Sequence, residues 1–396
     1  MTDNAMAQDT AKRMVESSRP DRFGAASELA AAESAGRRAG TAPNLPPAGR
    51  FPLLLLGFAA LFTGVGAGLA RLGWPTPDIA ASSAAFHGVL MVSGFFGVVI
   101  ALERAVAIAR LWAYGSPLLA GLASATAVFG SADLAAWLYL AASLVLLVGS
   151  LDIVRRQRAL FTVTIALGAA SWCVGNLLWA LGAGAAVVAP WWLSFLILTI
   201  AGERLELARF LQPSRNAQRL FVAVLLLIGV GLVGIGRPWG PTMFALGLLA
   251  LAGWLLRNDI ARKTVLQNGL TRFIAVCLLS GYAWLLVGAL VLLAAGKLAP
   301  GSASYDAIVH ALGMGFVFSM VFGHAPIIFP AVLRVKVPYS QVFYAPLALL
   351  HGALAIRLAG DAVGNFDLLR WGALLGAVAL AAFIIGTVSA VLRGRR

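Results

Sequence analysis

Apolar runs of about 20 residues recur from Phe51 to the C-terminus, and nothing else in this sequence restricts its fold so tightly. A run of that length crosses the hydrocarbon core of a bilayer as a helix. Inside lipid the backbone finds no water, so its N–H and C=O groups must pair within the segment. The chain is therefore expected to be all-α and polytopic. About twelve transmembrane helices are expected, at roughly 51–71, 84–103, 115–131, 134–152, 159–184, 189–208, 218–236, 240–256, 272–296, 306–332, 340–358 and 369–392.

Charge sets the orientation. The chain is 60% hydrophobic and 12% charged, with 30 Lys and Arg against 16 acids. In a soluble protein a net charge of +14 would point to nucleic acid. Here all the Lys and Arg except Arg71, Arg237, Lys297, Arg357 and Arg370 fall on the side of the N-terminus when the twelve runs are threaded in turn. Basic residues concentrate in cytoplasmic loops, so both termini are expected in the cytoplasm. The bias explains the charge with a lipid bilayer as partner and no nucleic acid. No apolar core precedes Phe51, so no signal peptide is expected. Residues 1–50 read as a disordered cytoplasmic tail and 51–396 as the helical domain. Arg37, Arg38 and Arg50 are candidate contacts for anionic lipid, a solvated linker being the plainer reading. Cys173 and Cys277 lie in apolar runs and read as buried thiols without a disulfide.

Function turns on four histidines, all in apolar runs. Ionisable groups within spans are costly and tend to mark function. His310 and His324 share the run from Asp306 to Pro330. Fourteen residues of unbroken α-helix leave them ~40° short of whole turns and ~21 Å apart along the axis. They therefore share one face near opposite leaflets. Depth along the spans puts His87 level with His310, and His324 level with His351. Two imidazoles facing each other across a bundle can ligate haem iron, so His87, His310, His324 and His351 are the candidate cofactor ligands. Gly88, Gly323 and Gly352 adjoin three of them, and Gly313 and Gly315 follow the fourth; such residues admit a flat macrocycle or simply close helix packing.

Methionine opens an alternative. Met91 follows His87 by four residues, Met314 follows His310 by four, and Met320 precedes His324 by four. His87, Met91, His310 and Met314 form a candidate Cu(I) site, since thioether sulfur favours a soft ion. Packing is the plainer account of these methionines. Asp306 is placed either to accept the His310 ring N–H or to cap the helix, and Ser83 stands similarly before His87. Glu103-Arg104 and Glu203-Arg204 end two inward-running spans as a faint repeat. They read as local ion pairs or as proton entry points.

At these residues the sequence resembles the NnrS family of haem- and copper-containing polytopic proteins linked to nitric oxide tolerance. The resemblance lies in the length, the twelve spans, the early helix His87-Gly88-x-x-Met91-x-x-Gly94-Phe95 and the late helix opening His310-Ala311-Leu312. It implies a bacterial inner-membrane location, haem b, copper as a further cofactor, electron-transfer or nitric-oxide-stress chemistry, and a redox partner protein. Two other readings stand beside it. One is a proton-coupled secondary transporter relaying protons through the histidines with Glu103 or Glu203. The other is a Cu(I)-handling protein built on the His/Met pairs. A haem-copper oxidase centre needs more histidines than the four present. No nucleophile triad, phosphate loop or zinc signature appears, and no catalytic residue is assigned.

Overall fold

The computed structural model describes residues 44–211 and 213–394. They are helical throughout, with no strand among them. Eleven of the helices are long and apolar enough to cross a membrane: α1 Pro47–Arg71, α2 Ala84–Ile108, α4 Ala132–Arg156, α5 Leu160–Ala180, α6 Ala185–Ala208, α7 Arg215–Val233, α8 Gly240–Asn258, α9 Gly269–Ala295, α10 Ala303–Leu333, α11 Gln341–Val363 and α12 Phe366–Arg393. The expected third span is shorter. Helix α3 covers Gly115–Val128, 14 residues. At 1.5 Å per residue that is about 21 Å. The chain breaks out of it at Gly130, whose φ of +101° belongs to the left-handed region that glycine tolerates.

Neighbours in sequence pack as antiparallel hairpins, α3 on α4, α5 on α6, α7 on α8 and α11 on α12. Large apolar side chains face outward along the helices, among them Phe62, Leu226 and Ile385. A surface of that kind matches lipid rather than water.

Cross-bundle contacts fix which helix ends lie together. Arg50, at the start of α1, donates to Val332 O at the end of α10 (2.9 Å) and to Leu45 O (2.7 Å). It is 4% exposed, so it serves the orphaned carbonyls of a helix end rather than lipid, and the expectation of a tail contact there is corrected. The helix starts before Phe51 because Pro46 and Pro47 set its entry. The remaining tail, 1–43, lies outside the described residues. Gly394 packs on Lys336 and Pro338, which brings the end of α12 to the same end of the bundle. At the other end the Trp74 ring meets Trp371 edge-on at 5.1 Å, and its Nε1–H donates to Arg370 O (3.2 Å). The ends of α2 and α6 meet through Arg104 and Glu203 (2.6 Å). An even number of traverses must separate them, so α3 carries the chain across despite its length.

Two helices are not plain α. Both α2 and α10 contain a seven-residue π-helical turn, Leu90–Phe96 and Ala311–Val317, beginning within three residues of His87 and His310. Such wide turns recur at functional sites. A buried polar network holds the first. Trp172 Nε1–H donates to Ser93 Oγ (2.9 Å), which donates to Asn176 Oδ1 (3.2 Å), which also accepts from Trp192 Nε1–H (2.9 Å). Phe318, just past the second wide turn, stacks on Phe95 and tilts against Phe96, so α2 and α10 run side by side.

Candidate metal centre

His87 and His310 meet. Their rings lie 6.2 Å apart, centre to centre, with planes 17° from parallel. The close approach depends on α1. The His87 Nδ1–H donates to Gly64 O (2.7 Å). A Cβ on Gly68 would stand 2.7 Å from the His87 Cε1 and Nδ1 atoms, so only glycine leaves the ring that place. On the other side, His310 Nδ1–H donates to Asp306 O (2.8 Å), with the Asp306 carboxylate at 3.3 Å. Arg357 holds that carboxylate with two bonds of 2.7 Å each. Both rings are thus fixed as the Nδ1–H tautomer, and nothing among the described residues hydrogen-bonds either Nε2. A carbonyl-bound ring N–H with a free second nitrogen is how ligating imidazoles are usually oriented.

Several expectations change here. Helix α10 is capped by Ser302, whose Oγ accepts from Tyr305 N (3.1 Å), so Asp306 is not the cap. Ser83 gives its hydroxyl to Ile79 O (2.7 Å) and leaves His87 to the carbonyl of Gly64. Arg357 is buried in an ion pair and is not an outer-loop charge.

The expected partnership of His324 with His351 is not formed. His324 donates from Nδ1 to Met320 O (2.6 Å) and accepts at Nε2 from Arg204 (2.8 Å). His351 accepts at Nδ1 from Trp284 Nε1–H (2.9 Å), and its Nε2–H donates to Ser280 Oγ (3.0 Å). All four nitrogens are engaged by side chains or backbone of other helices or of the same turn. The wide turn at Ala311–Val317 explains why a straight-helix estimate misplaces His324. It absorbs about one extra residue, worth ~100° of rotation. His310 and His324 are then ~140° apart rather than ~40°.

Each methionine of the sequence pattern fills a notch opposite a glycine of a neighbouring helix: Met91 at Gly64, Met314 at Gly376 and Met320 at Gly281. That is the packing role of a flexible thioether. Gly315 and Gly323 are likewise occupied by close packing, against Trp284 and Cys277. Gly88 and Gly313 leave open space where a Cβ would stand, so no packed neighbour blocks approach to the backbone there.

The Glu-Arg doublets of α2 and α6 come together at the opposite end of these helices. Arg104 bridges Glu203 (2.6 Å) and Glu103 (3.8 Å), and Arg204 extends the group to His324. The pairs run between helices, which the sequence echo alone did not indicate. Gly68, Gly64, Arg357 and Trp284 were also invisible as site residues, because each acts from a distant helix. No group of three or more His, Cys, Asp or Glu able to hold a metal occurs among the described residues.

No curated protein and no solved structure matches this chain. A family profile described as a domain of unknown function, DUF8744, matches residues 50–392. The match runs through the helical bundle from α1 to α12, and the chain belongs to the DUF8744 family.

Proposed function

We propose that this protein is a twelve-span membrane protein whose His87 and His310 hold one redox-active metal ion, the iron of haem b. The observation that carries the reading is the ring pair itself. One ion bonded to both rings needs about 2 Å for each bond and about 1.1 Å from each nitrogen to its ring centre, roughly 6 Å in all. The observed centre-to-centre separation is 6.2 Å, between rings whose Nδ1 atoms are already tied to carbonyls. Two neutral imidazoles are a donor set that suits iron, and His87 and His310 would be the residues that hold it. When bound, haem would supply one-electron chemistry. This chain's own part is to fix both tautomers, to hold the rings apart at ligand distance and to set a charged group beside one of them. Asp306 and Arg357 do the last, since a carboxylate at the outer side of a ligating ring raises its basicity. His324 and His351 are outside this centre. The reading keeps the link to nitric-oxide-stress chemistry and a partner redox protein as its functional setting.

The traverse count supports twelve crossings with α3 included, the charge bias favours cytoplasmic termini, and the resemblance to the NnrS family favours a bacterial inner membrane. Cu(I) is the second reading, favoured by the same spacing, because two imidazoles can hold that ion with no macrocycle. Metal and pigment analysis of the purified protein separates the two. A Soret band lost in His87→Ala and in His310→Ala, and kept in His351→Ala, supports haem. Stoichiometric copper without pigment selects Cu(I). Colourless, metal-free protein from cells supplied with both would refute the centre.

A further inference from the structure

The cluster at the far end of α2 and α6 presents a separate problem of charge. Arg204 is 4% exposed, yet its hydrogen bond is to a neutral ring nitrogen, His324 Nε2 at 2.8 Å. Its Nε is buried without a partner, and among the described residues no carboxylate oxygen lies within ion-pair distance of it. Arg104 likewise has a buried Nε without a partner. A guanidinium is a planar fork built for two-oxygen acceptors. Left in the interior without one, it is a costly group.

We propose that the Arg204–His324 pair is the binding site for a small monovalent anion with two oxygens, a carboxylate or an oxyanion. The anion would accept from the Arg204 edge that no protein group uses. It is distinct from the His87–His310 centre, which lies near the other end of the same helices.

The surroundings decide when it fills. Asp259 after α8, Tyr282 on α9 and Glu203 on α6 neighbour the Arg204–His324 pair, while Glu103 and Arg104 on α2, with Glu206 and its partner Arg209 at the end of α6, reach it through Glu203. Arg104 is spent on Glu203 at 2.6 Å. Asp259 accepts from Tyr282 Oη–H (2.7 Å) and from the Ala261 N–H (2.7 Å), so its charge is already held. Glu103 is the loosely held acid, 3.8 Å from Arg104 and 31% exposed on its side chain. With Glu103 ionised the cluster carries excess negative charge and repels an anion. Protonation of Glu103 removes one of these negative charges and lowers the repulsion. The anion therefore binds together with a proton, and acid favours occupancy.

The test is isothermal titration of the purified full chain with sodium formate and sodium nitrate, against sodium chloride at constant ionic strength, from pH 5.5 to 8. Formate or nitrate should bind at least tenfold more tightly at pH 5.5 than at pH 8. Arg204→Lys, which keeps the charge but loses the fork, should weaken binding at least tenfold while retaining the wild-type melting temperature. Glu103→Gln should bind at pH 8 as the wild type does at pH 5.5. Absence of heat above the chloride control at every pH, equal binding by Arg204→Lys, or a pH profile unchanged in Glu103→Gln would each overturn the proposal. Should Arg204→Lys fail to fold, Arg204→Gln serves in its place, with the same two outcomes.

Discussion

Substituting Gly68 by alanine probes the proposed centre from a helix that supplies no ligand to it. The added methyl carbon would stand 2.7 Å from two atoms of the His87 ring. Ordinary contact begins near 3.4 Å, so the ring must withdraw by about 0.7 Å. Moving the ring that far stretches its 2.7 Å bond to Gly64 O beyond hydrogen-bond range. Overpacking of this kind costs about 1–3 kcal/mol. The lost hydrogen bond adds about 1 kcal/mol. Loss of a group that orients a ligating ring lowers metal affinity roughly 10- to 100-fold, which is about 1.4–2.8 kcal/mol at 1.4 per decade. Titration of metal-free protein with iron protoporphyrin, followed by absorbance, measures the affinity. Thermal melting of the metal-free protein measures the packing cost separately. Gly68→Ala binding the pigment as tightly as wild type, where His87→Ala does not bind it, would show that the ring position inferred from Gly64 and Gly68 is irrelevant to ligation.

Further outcomes can be stated from the same geometry. His351→Phe should leave metal content unchanged, because both ring nitrogens are taken by Trp284 and Ser280, and elemental analysis checks it. Arg357→Met should lower the affinity of the His87–His310 centre several-fold by releasing Asp306, with a melting shift measured beside it. Arg50→Ala removes two charge-assisted bonds to carbonyls, each worth about 1.5–3 kcal/mol, and should lower the melting temperature without altering metal content. Asn176→Leu strands the indole N–H of Trp192 and the hydroxyl of Ser93 beside the wide turn of α2. A loss of about 0.6–1.7 kcal/mol is expected from polar bonds between spans, read by thermal unfolding in detergent.

Much of the architecture could be read from hydropathy because lipid leaves the backbone one local solution. A 20-residue apolar run must satisfy its own hydrogen bonds, so length and polarity alone located eleven long helices. The pairing of His87 with His310 was also legible, since depth follows from counting along two spans that run the same way. The same counting put His324 level with His351, and that pairing failed because depth does not say which way a ring points about its helix axis. The same-face estimate for His310 and His324 assumed 3.6 residues per turn throughout, and the wide turn at Ala311–Val317 removed that assumption.

The sequence by itself determined what lies within a segment: helix, span, depth and the scarcity of ionisable groups. Only the tertiary structure decided which ring nitrogen is free. That depends on groups brought from other helices, the Gly64 carbonyl on α1, Arg204 on α6, Trp284 and Ser280 on α9. A hydrogen bond between helices leaves no periodic trace along either one, so four histidines that look alike in sequence become two that can ligate and two that are already satisfied.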